Sequence, residues 1–482
     1  MGILTGLEPS RVFYFFEEIC GIPHGSRNVD AISEYLVGFA KEHGLRYIQD
    51  ELKNVIIFKD ASKGYEQAET VMLQGHMDMV CAKRADVKHD FQRDGLKLGI
   101  DGDEIHANGT TLGGDDGIAV AYILAILESE NISHPALEAV ITVNEEIGLL
   151  GAQGLDCSML KSRYLINLDS EAEGVLTVGC AGGMTGRIHL PITRMDAEGI
   201  RCILRVEGLV GGHSGSEIHK GRANANTLMG RLLFRLARCT DFSVVRIHGG
   251  EANNAIPKCC EAEILLISEQ TEEAKRCVTM LQKEIDTEYR STDPKIRLVL
   301  EVGEKEVRKT FSYATMERLI FLLFNLPNGV MRMSPDIEGL VQTSLNLGIL
   351  RTEEENVYLE TSIRSSVESE KQMIADRVEY MVEFLGGECA RSEGYPGWAY
   401  NPDSRLRELM VQVYETMYGK KPVVEAIHAG LECGLISSRI RDLDCVSIGP
   451  DMKNIHTPEE RLCISSVKRV WEYLLKVLEQ LR

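Results

Sequence analysis

The sequence predicts an α/β protein: a domain with a mostly parallel sheet flanked by helices, interrupted by an enlarged α+β domain. Three observations predict it. Short continuous apolar runs alternate with helical stretches over residues 1–183. Residues 184–397 change texture and read as two successive α+β units. The first texture then returns over residues 398–482. A chain of 482 residues also exceeds the roughly 250–300 residues at which single cores stop growing.

The elements follow in order. Asn28 is placed to cap a helix over 29–44, with Ile32, Leu36, Phe39 and Ala40 on one face and Gly44 at its end. NVIIF and VMLQG read as strands. A helix over about 118–128 follows, then the strands LEAVITVN and YLINLD. In the interrupting domain, MTGRIHL and IRCILRVEG lead to a helix at RANANTLMGRLLFRLARC. Strands VVRIHG and CEAEILLI, a helix from Thr271 and strand IRLVLEV complete its first half. Its second half has helix MERLIFLLFNL, a hairpin of VQTSLNLGIL and VYLETSIRSS, and helix KQMIADRVEYMVEFLGG. The closing part has a helix from Arg405, runs at VVEAIHAGLECG and DCVSIGP, and a last amphipathic helix carrying Val467, Val470, Trp471, Leu474 and Leu478.

Composition excludes several classes. The formal charge is −20, from 73 acidic and 53 basic residues. Nucleic acid and anionic membranes need clustered Lys and Arg, so neither is expected as a partner. No apolar run approaches the ~18 residues of a membrane span. The N-terminal stretch lacks a basic n-region, and Gly6 breaks the myristoylation pattern. Thirteen cysteines are odd in number, without CxxC, and Cys20, Cys202 and Cys445 sit in apolar stretches. This usage predicts reduced thiols in a cytoplasmic protein, with neither a disulfide framework nor a Cys-ligated metal.

The chemistry lies in polar residues at the ends of apolar runs. His76 and Asp78 follow VMLQG, Asp115 lies in GTTLGGDDG, and Glu145 and Glu146 follow LEAVITVN. Asp169 ends YLINLD, and His456 stands far downstream in IHTPEER. In parallel sheets, ligands collect beyond the carboxyl ends of strands. His76, Asp115, Glu146, Asp169 and His456 supply two imidazoles and three carboxylates, a set suited to two zinc ions. Three carboxylates leave a four-plus ion pair net positive, which favours hydroxide. Glu145, beside Glu146, is the candidate for moving the proton of water to a leaving amine. Asp78 is placed to hydrogen-bond His76 and set its tautomer. The Gly-rich turn HAGLECG, with His428 and Glu432, is expected to line the substrate end.

These segments resemble the M20 metallopeptidase family, in its aminoacyl-histidine (Xaa-His) dipeptidase branch. The likeness covers essentially the whole chain. LQGHMDMVCAK, GTTLGGDDGIAVA, TVNEEIGLLGAQGL, INLDSEAEG, GCAGG, GGHSGSEIHKGRANAN, NAIP, HAGLECG and IHTPEER carry it. The resemblance implies that Asp115 bridges two Zn²⁺ ions per chain, with Mn²⁺ or Co²⁺ as substitutes. It implies that Glu146 and His456 complete one site, and His76 and Asp169 the other. It also implies Glu145 as general base, Asp78 as orienter of His76, and the interrupting domain as a lid. From that domain it marks His213, Asn254 and Arg364 as substrate-binding residues, with His219 a rival for the role of His213. His213 and Asn254 suit an oxyanion, and Arg364 a terminal carboxylate.

The implied activity is hydrolysis of small unblocked dipeptides, including β-alanyl-histidine, by a cytoplasmic monomer or homodimer. Aspartate at 169 is the choice of aminopeptidases and dipeptidases. Glutamate there goes with the alternative, an M20 carboxypeptidase or N-acyl-amino-acid deacylase. The branch carries Asp-Asn where this chain has Asp115-Asp116, so either aspartate is a candidate bridge. The interrupting domain is about twice the usual lid, and its second half is expected to replace a dimer partner's lid.

Overall fold

A computed structural model describes residues 2–267, 270–392 and 394–482. The chain forms two compact units. The first comprises residues 2–180, Trp398–Ala426 and Leu431–Arg482; the second comprises Ala181–Gly397 and Ile427–Gly430. His428 therefore falls in the second unit, with Ile427–Gly430, although the stretches on either side of that segment belong to the first.

The first unit is built on an eight-stranded sheet. Its order is Arg46–Gln49, Val55–Lys59, Leu137–Thr142, Val71–His76, Tyr164–Asn167, Asp444–Ser447, Val175–Cys180 and Val423–Ile427. The four strands from Leu137–Thr142 to Asp444–Ser447 are parallel. The pairs flanking them are antiparallel, so the sheet is mixed, with parallel order confined to its centre. The central strands Val71–His76 and Leu137–Thr142 are buried at every residue, as continuous apolar runs require when both faces are covered.

Helix Gly114–Glu128 is apolar all round and buried from Gly114 to Leu127. Such a helix belongs inside the protein. Each fully buried Ile or Leu there contributes roughly 1.5–3 kcal/mol. Tyr122 stacks on Trp471 at 6.0 Å between ring centroids and donates its hydroxyl to the Val467 carbonyl at 2.8 Å. This joins the helix to the last one, Ile464–Gln480. Helix Asp30–Glu42 begins after Val29, with no side-chain cap. Asn28 does not cap it: Val29 occupies the cap position, and the Asn28 amide donates to the Phe91 carbonyl at 3.3 Å. Gly44 does end that helical segment, at φ +62°.

The second unit carries a nine-stranded antiparallel sheet. Eight strands lie on one path: Arg297–Phe311, Arg194–Glu207, Cys260–Leu266, Phe242–Gly249, Val341–Thr352, Asn356–Ser365, Gly182–Pro191 and Glu388–Arg391. Gly329–Met333 pairs beside Val341–Thr352. The two expected α+β units are thus halves of one sheet. They join where His248 pairs with Arg351 and Gly249 with Leu350. Joining removes two open edges, and one apolar cluster runs from Met184 to Val382 beneath both halves. Among the described residues, no helix is long and apolar enough to cross a membrane.

Candidate metal centre

Three of the four parallel strands deliver acid or imidazole groups at their carboxyl ends. His76 ends Val71–His76, Glu145 and Glu146 follow Leu137–Thr142, and Asp169 follows Tyr164–Asn167. Asp115 and Asp116 open helix Gly114–Glu128, which packs beside Val71–His76. Two glycines permit the close approach. A Cβ on Gly75 would lie 2.5 Å from Asp116 Oδ2, and one on Gly449 would lie 1.5 Å from the Ser170 carbonyl. His456 and Asn144, the residue before Glu145, both hold positive φ, at 61° and 54°. Non-glycine residues adopt this conformation where surrounding structure enforces it.

These groups converge. His76 Nε2 lies 3.2 Å from Asp115 Oδ1 and 3.6 Å from Asp169 Oδ1. His456 Nε2 lies 3.2 Å from Asp115 Oδ2 and 2.9 Å from Glu146 Oε2. Asp115 therefore offers one oxygen to each imidazole. Asp116 also comes within 4.8 Å of ligand atoms of His76 and Asp169. However, its Oδ2 accepts the main-chain N–H of His76 at 3.1 Å, and no contact joins it to His456 among the described residues. Ligand atoms about 2.0–2.1 Å from a shared tetrahedral ion stand roughly 3.3–3.4 Å apart. The separations seen fit that spacing. Glu146 Oε1 and Asp116 Oδ1 are buried without a hydrogen-bond partner among the described residues, a cost that a bound cation removes.

Asp78 holds the neighbourhood together, though not as its spacing in sequence suggests. His76 Nδ1 lies 3.0 Å from the Asp78 carbonyl oxygen and 3.6 Å from its carboxylate. The carbonyl is the hydrogen-bond partner, which directs Nε2 to the cluster. The carboxylate accepts from Ser26 Oγ at 2.8 Å and from the Glu145 main-chain N–H at 3.0 Å. Glu145 stands at the edge of the cluster, 4.0 Å from His76 Nε2.

The electrostatics describe a site short of positive charge. Burial pushes Glu145 up to about 9 against the pull of His76, and Asp169, Glu432 and Glu146 add to the rise. Burial likewise lifts Asp169 to about 7, again against His76. Asp116 is driven well above the carboxylate range by burial and Asp169. Burial would raise Asp115 too, but His456 and His76 outweigh it and hold it low. Contacts with Asp115 and Glu146 raise His456 to about 10. Five carboxylates facing two imidazoles need protons or cations to coexist, and divalent ions supply that charge.

Residues 72–480 match the sequence profile of "Peptidase family M20/M25/M40". The chain belongs to this family. An M20 relative from Escherichia coli (strain K12), "Cytosol non-specific dipeptidase", is 37% identical over 483 residues, covering 100% of this chain and 99% of that protein. The crystal structure of aminoacylhistidine dipeptidase from Vibrio alginolyticus superposes with a TM-score of 0.94 at 39% identity, covering 99% and 98%. An M20 metallo-carboxypeptidase from Sulfolobus solfataricus shares the fold at a TM-score of 0.53 and 13% identity, covering 98% and 99%.

The remaining residues singled out in this M20 chain lie in the second unit. His213 and Asn254 are neighbours on a short two-stranded ladder, where His213 pairs with Ala255 and the Ser214 N–H donates to the Asn254 carbonyl at 2.8 Å. His213 Nδ1 accepts from the main-chain N–H groups of Gly215 and Ser216, at 3.3 and 3.2 Å. That fixes the tautomer with the proton on Nε2. His219 is exposed on the neighbouring 3₁₀ turn. Arg364 is buried, donates to the Tyr395 hydroxyl at 3.1 Å, and lines a polar cleft of about 270 Å³ with Asn254, Ser362 and Tyr395. Its Nε has no partner among the described residues.

The HAGLECG turn divides between the units. His428 Nε2 lies 2.7 Å from Ser344 Oγ in the second unit. Glu432 does not line an open cleft. It is fully buried in the first unit, accepting from Gln74 at 2.5 Å and Thr142 at 2.6 Å. Burial, then Arg364, pushes His428 down to about 3, from 6.5. The unfolded chain therefore binds an extra proton between those values. The stability this neutral imidazole contributes is complete above pH ~6.5 and is lost as pH falls toward 3. His428→Asn is expected to flatten the fall in melting temperature between pH 7 and 4. A slope equal to the wild type's contradicts this.

A further buried acid stands beside these groups without a mark in the sequence. Glu460, in IHTPEER, accepts main-chain N–H groups of the glycine turn that leads into Asp115. Its position beside another glutamate and an arginine resembles a solvated surface run. The turn itself carried the available signal, because consecutive buried N–H groups need an acceptor.

Proposed function

We propose that this M20 chain is a two-metal dipeptidase that hydrolyses Xaa-His and similar unblocked dipeptides, β-alanyl-histidine among them, in the cytoplasm. The carrying observation is Asp115, whose two oxygens stand 3.2 Å from His76 Nε2 and 3.2 Å from His456 Nε2. That disposition supports a carboxylate shared between two ions. Asp169 would complete the His76 site, and Glu146 the His456 site. Zinc suits this nitrogen and oxygen set, with Mn²⁺ or Co²⁺ as substitutes. Bound there, a divalent pair supplies Lewis acidity toward the scissile carbonyl and lowers the pKa of water.

The chain's own residues do the rest. Glu145 is the better proton carrier of the glutamate pair. Its side chain keeps 16% exposure, against 5% for Glu146, which is engaged with His456. It would take the proton of the attacking water and return it to the leaving amine. Asp78 positions Glu145 through its main-chain N–H. We assign oxyanion contacts to His213 Nε2–H and Asn254, the substrate carboxylate to Arg364, and the neighbouring wall to His428. The names of the Escherichia coli and Vibrio relatives favour dipeptides over other substrates.

A comparison of β-alanyl-histidine with an N-acetyl amino acid tests this reading. Faster turnover of the dipeptide is expected; preference for the acylated amino acid would favour a deacylase. Arg364→Ala is expected to raise KM for the dipeptide by roughly 10- to 100-fold, the size of a charge-assisted hydrogen bond, with kcat little changed. An unchanged KM removes Arg364 from the assignment.

A further inference from the structure

We propose that Glu460 is a positioning residue for the metal centre. It fixes the turn that presents Asp115 against the loop that presents His456, so that the two can share one ion. The inference rests on the two-metal reading above.

Glu460 is 2% exposed, and no salt bridge reaches it among the described residues. Its Oε2 accepts the N–H of Leu112 at 2.7 Å and of Gly113 at 3.2 Å. Its Oε1 accepts the N–H of Gly114 at 2.8 Å and of Asp115 at 3.4 Å. Four consecutive N–H groups thus close around one carboxylate, as in an anion-binding nest. Gly113 holds φ +67°, the conformation that turns these groups to a common side. A Cβ on Gly114 would stand 3.2 Å from Glu460 Oε1, so the fit leaves little slack. At its other end, Glu460 closes a turn by donating its main-chain N–H to the Thr457 carbonyl at 3.1 Å. Thr457 directly follows His456. Two loops some 340 residues apart in sequence are therefore tied within a few bonds of the Asp115 and His456 contact.

A carboxylate that only capped the helix would stabilise the fold and leave the two metal sites equally intact. A positioning carboxylate acts unequally. Asp115 and His456 depend on it directly, whereas His76 ends one central strand and Asp169 closely follows another, both held by the sheet ladder.

The test is titration of the chelator-treated full chain with Co²⁺ alone, followed by calorimetry and visible absorption, for wild type, Glu460→Gln and Glu460→Asp. Glu460→Gln keeps the size but gives up the charge and one acceptor oxygen. We expect two ions on wild type. On Glu460→Gln we expect the ion at the Glu146 and His456 site to weaken roughly 10- to 100-fold, the usual cost of losing a ligand's outer partner, and the ion at the His76 and Asp169 site, which shares only Asp115 with that turn, to weaken clearly less. Glu460→Asp keeps the charge and is expected to recover part of that loss. It also serves should the glutamine variant fail to fold. Folded variants that bind both ions as the wild type does, or that weaken both equally, overturn the proposal. A wild type that binds fewer than two ions instead refutes the two-metal reading, and this inference falls with it.

Discussion

Glu145→Ala is expected to lower kcat by roughly 10²–10⁴-fold, the usual contribution of general acid–base catalysis, while the bound metal stays unchanged. The reason is positional. Glu145 stands 4.0 Å from His76 Nε2, at the edge of a cluster whose tighter contacts belong to Asp115, Asp169, Glu146 and His456. Its removal subtracts a proton carrier and leaves each proposed ligand in place. Glu146→Ala supplies the contrast, since it removes the partner of His456 at 2.9 Å and should cost metal as well as rate. Single-turnover rates with metal analysis on the same samples check both. Full activity in Glu145→Ala, or loss of metal from it, contradicts the role.

The second large effect separates two adjacent aspartates. Asp115→Ala is expected to weaken both ions and to lower kcat/KM by roughly 10³-fold or more, the factor that several kcal/mol of Lewis-acid stabilisation represents. Asp116→Asn is expected to keep two ions and lose at most roughly 10- to 100-fold, the range for a partner outside the ligand set. Asparagine retains an oxygen for the main-chain N–H of His76, which Asp116 Oδ2 accepts at 3.1 Å. The reverse ranking, with metal lost from Asp116→Asn and kept in Asp115→Ala, makes Asp116 the bridge.

That pair shows where sequence reading stops. GTTLGGDDG announces two acids in a Gly-rich turn, but nothing in their order says which one faces both imidazoles. The answer depends on how the turn meets Gly75, where no side chain intrudes. His76, Glu145, Glu146 and Asp169 were legible because each ends a continuous apolar run, and continuous runs mark central strands. The outer strands were harder. Arg46–Gln49 is short and only half-buried, and its antiparallel pairing with Val55–Lys59 arises from a local hairpin that apolar periodicity does not report. Asn28 misled for a related reason. Val29 occupies the cap position, and the Asn28 side chain finds a tertiary partner at Phe91 rather than serving as a cap.

The second unit followed the same logic. Its helices and strands stand near their expected positions because amphipathic periodicity is local. The joining of both halves into one sheet through two residue pairs is a long-range event with no periodic signal. Glu460 was hidden differently, since buried and solvated glutamates look alike in sequence until the N–H groups around them are placed. His428 and Glu432, four residues apart, part company between the two units for the same reason.

Two ions sharing Asp115 are the proposed basis of this chain's activity. The most direct test adds Zn²⁺ stepwise to chelator-treated protein while following both bound metal and hydrolysis of β-alanyl-histidine. Two ions bound per chain, with activity reaching its plateau only as the second site fills, is the predicted result. Full activity at one ion per chain, or activity in protein free of metal, would contradict it.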